Sequence, residues 1–269
     1  MGWMDKTTFQ ELVWAKGRQL YRDMPWRHTD DPYKIMVSEL MLQQTQVDRV
    51  IPKYLDFVDR FPTVASLAAA PLADVLSCWS GLGYNRRAKF LHNSAIKIVH
   101  DFDGIVPSTH QELMSLPGIG ANTAAAILAY AFRQPVAFVE TNIRTVYFQH
   151  YFSDADTVTD AQLQEVVADT IDNEHPREWF WALMDYGSYL KRQGAGQLTK
   201  SAHYKRQSAL KGSVREVRGM IIRALATADM NVEDLKSHIT ADERFDGALE
   251  ALIQEGFVMR THDVLHLTK

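Results

Sequence analysis

The chain has 269 residues, 46% of them hydrophobic, and a formal net charge of -4. This length and hydrophobic content suffice for two ordered domains, each with a buried core. No segment approaches the ~18 uninterrupted apolar residues of a membrane span, and residues 1–10 lack the apolar core of a signal peptide. We therefore expect an ordered, globular, cytoplasmic protein with no membrane partner.

Cys78 is the single cysteine of the chain. One thiol can form neither an intrachain disulfide, nor a four-thiolate zinc site, nor a cysteine-ligated iron–sulfur cluster. The composition therefore predicts no metal site of these kinds.

The charge is unevenly distributed. Residues 191–223 hold nine Lys or Arg residues against one acid, Glu216, which leaves about twelve excess negative charges elsewhere. A basic stripe on an acidic body can contact a phosphate backbone, although a solvated linker between domains explains the stripe equally well.

Helical periodicity dominates residues 1 to about 210. Apolar residues spaced by three and four, with Asp, Thr or Ser near several starts as caps, predict helices over 7–21, 62–79, 86–102, 109–116, 121–132 and 160–173. Short turns are expected at 25–33, 81–85 and 116–120. Beyond a Gly/Lys/Ser-rich stretch, helices at 214–228, 231–239 and 243–257 precede two β-like runs, 257–260 and 264–268. Three helices followed by a hairpin predict a small winged helix at 212–269.

The most specific local signal is the turn Leu116-Pro117-Gly118-Ile119-Gly120 between two apolar-faced helices. The turn is predicted to be too tight for side chains at its glycines, and free backbone N–H groups at the next helix start suit a phosphate oxygen. An ordinary helix hairpin with a glycine cap is the alternative.

Glu39 is an acid among apolar side chains in VSELMLQQTQV. Helical spacing puts Glu39 on one face with Leu42, Gln43 and Gln46, opposite Val37, Leu40 and Met41. This spacing alone does not separate a solvent face from an active-site face.

Four segments together resemble one family. LPGIG at 116–120, VETNIRTV at 139–146, PWRHTDDPYKIMVSELMLQQTQV at 25–47 and GLGYNRRAKFLH at 81–92 are similar to the helix-hairpin-helix DNA glycosylase superfamily. The string SELMLQQTQV is specific to its MutY-type adenine glycosylase branch. The resemblance runs from about Met24 to about Leu190.

The resemblance implies an all-α, two-domain fold. A six-helix barrel is expected at 26–133, and a second helical domain at 1–25 and 134–205, with the active site in the cleft between them. Enzymes of this family bend DNA and flip a nucleotide into a pocket, as any enzyme that reaches a base inside a duplex must. The implied partner is duplex DNA with a lesion or mismatch, and we expect a nucleoid-associated monomer.

The resemblance also implies the chemical roles. The family's general acid falls on Glu39, which protonates the base near neutral pH only if a dry pocket raises its pKa. The family's second carboxylate, an aspartate that stabilises the cationic sugar, reads Glu140 here. A lyase branch has a Schiff-base lysine where this chain has Asn122, so we expect a monofunctional glycosylase that leaves the strand intact.

Other implied positions fall into two groups. Those expected at the base pocket are Trp26, Arg27, Asn122 and Trp181. Those expected to contact DNA are Gln43, Gln44, Thr45, Leu82, Tyr84, Asn142 and the hairpin residues Leu116, Pro117, Gly118, Ile119 and Gly120, where a monovalent cation can also bind. For Trp26, Arg27, Gln44 and Tyr84, core packing or a surface polar contact is the alternative.

Three departures from the family pattern limit what carries over. The four cluster-ligating cysteines usual after the segment DYGSYLKR are absent, so we expect a clusterless domain held by helix packing and by the aromatics Trp179, Phe180, Trp181, Tyr186 and Tyr189. Trp181 replaces a Gln or Glu of the pocket wall and cannot accept a hydrogen bond from adenine. Residues 212–269 are too few for the family's Nudix-like lesion-reading domain.

The sequence thus predicts a base-excision-repair glycosylase that removes a mispaired base, first of all adenine opposite 8-oxoguanine or guanine. A thymine or uracil mismatch glycosylase of the same superfamily is one alternative. A non-catalytic DNA-binding protein, with chemistry lost through Glu140, is another.

Overall fold

The computed structural model describes residues 4–196 and 210–268, and this part of the chain is mostly helical, as predicted. Lys200, Lys205 and Arg206 of the basic stripe lie outside the described residues. The helices are α1 (Lys6–Leu20), α2 (Pro32–Leu42), α3 (Val47–Arg60), α4 (Val64–Ala68), α5 (Leu72–Trp79), α6 (Arg86–Asp101), α7 (His110–Met114), α8 (Ala121–Phe132), α9 (Thr141–His150), α10 (Asp160–Thr170), α11 (Pro176–Arg192), α12 (Val214–Leu225), α13 (Val232–Ile239) and α14 (Phe245–Gln254). The strands are β1 (Met230–Asn231), β2 (Val258–Thr261) and β3 (Val264–Leu267).

Polar side chains begin several helices, as the sequence predicts. Asp5 caps α1 by accepting a hydrogen bond of 3.0 Å from the backbone N–H of Thr8. Thr63 and Thr159 form capping boxes at the starts of α4 and α10. These caps satisfy N–H groups that have no partner within the helix.

Two predicted helices have different limits in the structure. The helix predicted over 62–79 is two helices, α4 and α5, because Pro71 lacks a backbone N–H and begins the second one. The predicted helical face of Glu39, Gln43 and Gln46 is also wrong, since α2 ends at Leu42 and the glutamines lie in the following loop.

The chain divides into two compact units. In the described residues, the first unit contains 4–39, 107–115 and 119–196, and the second contains 40–106, 116–118 and 210–268. The predicted boundaries at 26–133, at 1–25 with 134–205 and at 212–269 are not the boundaries of these units. The difference arises because the span 26–133 is divided between both units and the C-terminal segment shares a unit with 40–106.

Helix α11 is central to the first unit. Its Trp179 and Phe180 are fully buried, in one core with Phe9 of α1 and Tyr147 of α9. The rings of Phe9 and Tyr147 lie 5.1 Å apart, and those of Phe9 and Trp179 lie 6.1 Å apart. The expected aromatics therefore hold this region: Tyr186 is buried in the core, and Trp181 and Tyr189 pack against it.

The second unit contains α3 to α6 and the C-terminal segment. Trp79 is fully buried and its ring lies 6.0 Å from that of Phe57. Helices α12, α13 and α14 pack around Leu235, Phe245 and Leu252, which are fully or almost fully buried.

The C-terminal strands form an antiparallel sheet in the order β1-β3-β2. The predicted hairpin is confirmed, with Val258 opposite Leu267 and Thr261 opposite Val264. Strand β1 was not predicted, because its two residues form a strand only through pairing with Leu265 and Val264. Three helices with this sheet agree with the predicted winged helix.

Among the described helices, none combines the length and the apolar character that crossing a membrane requires.

Candidate active site

Glu39 lies near the end of α2, after the buried residues Met36, Val37 and Ser38. Burial, and to a lesser extent the negative charge of Glu140, raise the pKa of its carboxyl to about 8. Because both effects disfavour the charged form, Glu39 is mostly protonated at neutral pH. A carboxylic acid in this state can donate a proton to a bound group.

Glu140 is the N-cap of α9. Its Oε1 accepts hydrogen bonds from the backbone N–H groups of Asn142, at 2.6 Å, and Ile143, at 3.2 Å. Burial raises the pKa of Glu140, whereas these backbone hydrogen bonds and the positive charge of Lys191 lower it. The position at a helix N-terminus also favours a negative charge.

Helix α11 comes very close to the start of α9, where Glu140 is held. A Cβ atom on Gly187 would lie 2.0 Å from the carbonyl oxygen of Asn142, which is far inside contact distance. Only glycine fits here, so this residue of α11 helps to set the position of the Glu140 cap.

The two carboxyl groups therefore have different environments. Burial raises the pKa of both groups, but Glu39 also has a nearby negative charge, whereas Glu140 has backbone donors and a cation that stabilise its ionised form. Paired acids whose surroundings separate their pKa values can act as one proton donor and one carboxylate. This arrangement suits general acid catalysis with electrostatic stabilisation of a cation.

Tyr130 belongs to the same group of side chains, although the sequence did not single it out. It is buried on α8, and burial raises its pKa well above the ordinary value, with further contributions from Glu39 and Glu140. Its phenol is therefore neutral. Tyr130 lies about two helical turns after Asn122, so helical spacing puts both residues on the same face of α8. This spacing is the signal from which the sequence could have identified Tyr130.

Arg27 forms a buried ion pair with Asp185 of α11. Its Nη1 donates to Oδ2 at 2.7 Å and its Nη2 to Oδ1 at 3.0 Å, and both side chains are only 1% exposed. Arg22 also donates to Asp185, at 2.6 Å. The expected base-pocket residue thus has its guanidinium committed to Asp185, which the sequence did not identify.

Trp181 lies against two guanidinium groups. The ring centroid is 5.2 Å from the guanidinium carbon of Arg27 and 4.7 Å from that of Arg177. Trp26 is buried, with 7% of its surface exposed. Of the two predicted pocket tryptophans, Trp181 is the more accessible, and it stacks on cations of its own chain.

Asn122 connects the start of α8 to the segment that precedes Glu140. Its side-chain oxygen accepts a hydrogen bond of 3.3 Å from the backbone N–H of Val139. An amide at this position is no nucleophile, in contrast to the lysine amine of the lyase branch.

The hairpin at 116–120 separates α7 from α8. Gly118 has φ +77°, and a Cβ there would lie 2.7 Å from the Phe90 side chain, so the predicted tightness is confirmed at this residue. It is wrong for Gly120, which has an extended backbone and no such neighbour. Leu116 and Ile119 are buried, so their side chains belong to the core.

Gly120 is the N-cap of α8 and has no side chain to satisfy the first N–H groups of that helix. A helix N-terminus favours an anionic acceptor such as a phosphate oxygen. Pro117 is partly exposed.

Two loops of the second unit carry Gln43, Gln44, Thr45, Leu82 and Tyr84 of the predicted DNA contacts, and Arg87 joins these loops. Its guanidinium donates to Thr45 Oγ1 at 3.0 Å, to the Gln43 carbonyl and to the Leu82 carbonyl at 3.4 Å. Gln44 is exposed with φ +55°, and Tyr84 is half-buried with φ +49°.

Two of the predicted contacts are already engaged within the protein. The side chain of Leu82 is buried. The side-chain amide of Asn142 in the first unit lies 3.9 Å from the sulfur of Met184. The DNA contacts expected of these two residues stay predictions.

Comparison with known proteins gives the class. Residues 37–169 match the HhH-GPD superfamily of base excision DNA repair proteins. The adenine DNA glycosylase of Mycobacterium tuberculosis (strain ATCC 25618 / H37Rv) is 35% identical over 275 residues, covering 94% of this chain and 90% of that protein. The adenine DNA glycosylase of Mycolicibacterium smegmatis is 34% identical over 262 residues, covering 90% of this chain and 89% of that protein.

A solved thermostable thymine-DNA glycosylase has a similar structure. It superposes with a TM-score of 0.64 at 27% identity, over 68% of this chain and 86% of that one. These similarities and the mostly helical fold define the class as the DNA N-glycosylases of base excision repair. Within that class, the chain belongs to the adenine DNA glycosylase family. A non-catalytic DNA-binding protein, one of the alternatives, does not agree with this class.

The residues present do not fit the iron–sulfur cluster that this family usually carries. Cys78 is the single thiol and lies on α5, in the second unit. Over residues 4–196 and 210–268, no group of three or more His, Cys, Asp and Glu side chains could hold a metal ion. A cluster needs four such ligands.

Proposed function

We propose that this enzyme removes a mispaired base from duplex DNA, first of all adenine opposite 8-oxoguanine or guanine, and leaves the strand intact. The observation that carries the proposal is the pairing of Glu39, whose pKa is raised to about 8, with the charge of Glu140. Cleavage of an N-glycosidic bond requires a proton donor for the base and a negative charge that stabilises the sugar cation, and a protonated acid beside an ionised carboxylate can supply both.

The first step belongs to Glu39. Its proton passes to a ring nitrogen of the flipped base, and the N-glycosidic electron pair leaves with the base, which departs neutral. The sugar becomes an oxocarbenium-like cation, and Glu39 becomes a carboxylate. That carboxylate then takes a proton from the water that attacks the sugar carbon, which restores the acid.

Glu140 stabilises the positive charge on the sugar. Its backbone hydrogen bonds from Asn142 and Ile143 fix the carboxylate before the reaction, so no reorganisation is needed when the charge develops. The family's aspartate is shorter by one carbon, and we infer that the glutamate uses its extra length in capping α9.

Adenine is the favoured base because both Mycobacterium tuberculosis and Mycolicibacterium smegmatis relatives are adenine DNA glycosylases. A second candidate is a thymine or uracil mismatch. It is supported by the likeness to a thymine-DNA glycosylase and by Trp181, which lacks an acceptor for the adenine amine.

Asn122 supports a monofunctional reaction, since cleavage of the strand by a lyase needs an amine that forms a Schiff base. We further propose a clusterless, cytoplasmic monomer that acts on nucleoid DNA. A monovalent cation at the hairpin stays a prediction. Purified enzyme should show no band near 400 nm, and an iron-dependent band there would contradict the clusterless proposal.

One assay tests base and mechanism together. Duplexes with adenine opposite 8-oxoguanine, adenine opposite guanine, thymine opposite guanine and uracil opposite guanine are incubated with excess enzyme, and half of each sample is treated with alkali. We expect alkali-dependent cleavage, fastest for adenine opposite 8-oxoguanine. Faster thymine or uracil removal would favour the second candidate, and cleavage without alkali would overturn the monofunctional proposal.

A further inference from the structure

A charged network attaches the C-terminal winged helix to the start of α6, within the second unit. Glu255 accepts hydrogen bonds from Arg218 at 3.0 and 2.7 Å, and it lies 2.8 Å from the guanidinium of Arg86. Lys89 donates to the backbone carbonyls of Glu255 and Gly256. Because Glu255 pairs with both Arg218 and Arg86, these arginines have a role in docking that does not depend on DNA.

Arg215 of α12 makes a different contact. Its guanidinium donates a hydrogen bond to the hydroxyl of Tyr84, and the guanidinium carbon lies 5.0 Å from the Tyr84 ring centroid. The Arg87 guanidinium lies 5.4 Å from the same centroid. Arg215 and Arg87 thus both contact the Tyr84 ring, and Arg215 also holds the Tyr84 hydroxyl.

The backbone at Tyr84 is also held in an unusual conformation. Its φ of +49° lies in the left-handed region, which residues other than glycine seldom adopt. Arg87 fixes this loop by donating to the carbonyls of Leu82 and Gly83, at 3.4 and 3.1 Å. Residues kept in such conformations by their surroundings are concentrated at functional sites.

The Tyr84 ring is only half-buried, and an aromatic side chain in such a place can stack on a nucleobase, since every base has a π-face. If the ring were free to rotate, binding to DNA would cost the entropy of fixing it, and a ring fixed beforehand avoids this cost. Arg215 can supply that fixation because the docked winged helix places it at the tyrosine hydroxyl.

We propose that Arg215 is a positioning residue that fixes the Tyr84 side chain in the orientation in which it enters DNA. The winged helix would thereby assist base flipping through the hydrogen bond from Arg215 to Tyr84, in addition to any contact that it makes with a DNA phosphate. This inference rests on the proposed function, which supplies both the entry of Tyr84 into DNA and the substrate duplex used in the test.

The test compares Arg215→Met, Tyr84→Phe and the double variant. Arg215→Met removes the donor at similar length, and Tyr84→Phe removes the hydroxyl while keeping the ring. Arg223→Met is the matched control, because Arg223 is exposed on the same helix and carries the same charge. Thermal unfolding of each variant confirms that it is folded.

Two measurements are made. In the free protein, 3-fluorotyrosine at position 84 reports the environment of the ring by ¹⁹F NMR. With DNA, 2-aminopurine beside the mispaired base reports opening of the base stack, and single-turnover excision follows on the same duplex.

We expect Arg215→Met and Tyr84→Phe each to slow stack opening and excision about five- to tenfold, the size of one hydrogen bond. The double variant should be no slower than either single variant, because both lose the same contact. The ¹⁹F signal should shift in Arg215→Met and remain in place in Arg223→Met.

Additive effects, or equal effects of Arg215→Met and Arg223→Met, would show that Arg215 acts only as a charge near phosphate and would overturn the inference. An enzyme that opens the stack normally but excises no base contradicts the proposed function instead. The two failures are therefore distinguishable.

Discussion

Burial raises the pKa of Glu39, and the negative charge of Glu140, a residue far from it in the sequence, adds to this rise. Glu140 itself keeps backbone donors that favour its ionised form. The proton of the pair therefore resides preferentially on Glu39, and this assigns the acid and the carboxylate without reference to a substrate.

Glu39→Gln should reduce excision by at least ~1,000-fold, because an amide cannot donate the proton, while DNA affinity stays within about twofold. Single-turnover excision and fluorescence anisotropy on the same duplex measure the two quantities. Glu11→Gln, at an exposed acid of α1, is the control and should match the wild type. An active Glu39→Gln enzyme would remove Glu39 from the mechanism.

The same substitution should change stability in a pH-dependent way. Since the folded-state pKa of Glu39 is raised to about 8, folding retains a proton that the unfolded chain releases, and stability decreases as pH rises toward 8. Glu39→Gln removes this loss, so its melting temperature should exceed the wild-type value more at pH 8 than at pH 5. A difference that does not vary with pH would mean that the Glu39 pKa is not raised.

The excision rate of the wild type should decrease as pH rises above about 8, where Glu39 loses its proton. The rate should also decrease at low pH, once Glu140 becomes protonated. Because burial raises the pKa of Glu140, this lower limb should lie above the ordinary pKa of a glutamate. Single-turnover rates between pH 4 and 10 measure both limbs, and a rate that still rises at pH 9 would contradict the assignment of Glu39 as acid.

Glu140→Gln tests the second carboxylate, since the amide oxygen can still accept the capping bonds from Asn142 and Ile143. The negative charge is lost, so excision should slow by roughly 100- to 1,000-fold. The upper limb of the pH profile should move to lower pH, because the charge that raises the Glu39 pKa is gone. Melting temperature should change little, and an unshifted limb would mean that the two carboxyl groups do not interact.

Gly118→Ala and Gly120→Ala form a matched pair in the hairpin. Alanine at 118 adopts φ +77° with strain and meets Phe90, so the free energy of unfolding should decrease by roughly 2 to 4 kcal/mol. Alanine at 120 has no such neighbour and should leave stability nearly unchanged. If the α8 N-terminus holds a phosphate, Gly120→Ala should still weaken DNA binding. Chemical denaturation measures the stability of each variant, and fluorescence anisotropy measures its DNA affinity. Equal stabilities of the Gly118→Ala and Gly120→Ala variants would refute the role of Gly118.

The sequence predicted most helices, since apolar spacing and capping residues are local properties that packing preserved. It erred at two helix limits. Pro71 divides one predicted helix, and α2 ends before Gln43, although helical spacing predicted one face from Glu39 to Gln46. Strand β1 has too few residues to show a pattern of its own.

The sequence also supplied the chemical groups of the site: an acid at Glu39, a carboxylate at Glu140, an amide at Asn122 and a single thiol. It could not show that Asp185 occupies the guanidinium of Arg27, or that Tyr130 lies near both carboxylates, because spacing along the chain does not give distance in space.

Composition and motif therefore determined which reactions are available to this protein, because residue identity alone fixes which groups can donate a proton or form a Schiff base. Only the tertiary structure decided which carboxylate holds the proton and which arginine reaches Tyr84. Both depend on burial and on neighbours far apart in the chain, since a pKa or a hydrogen bond is set by distance and solvent access.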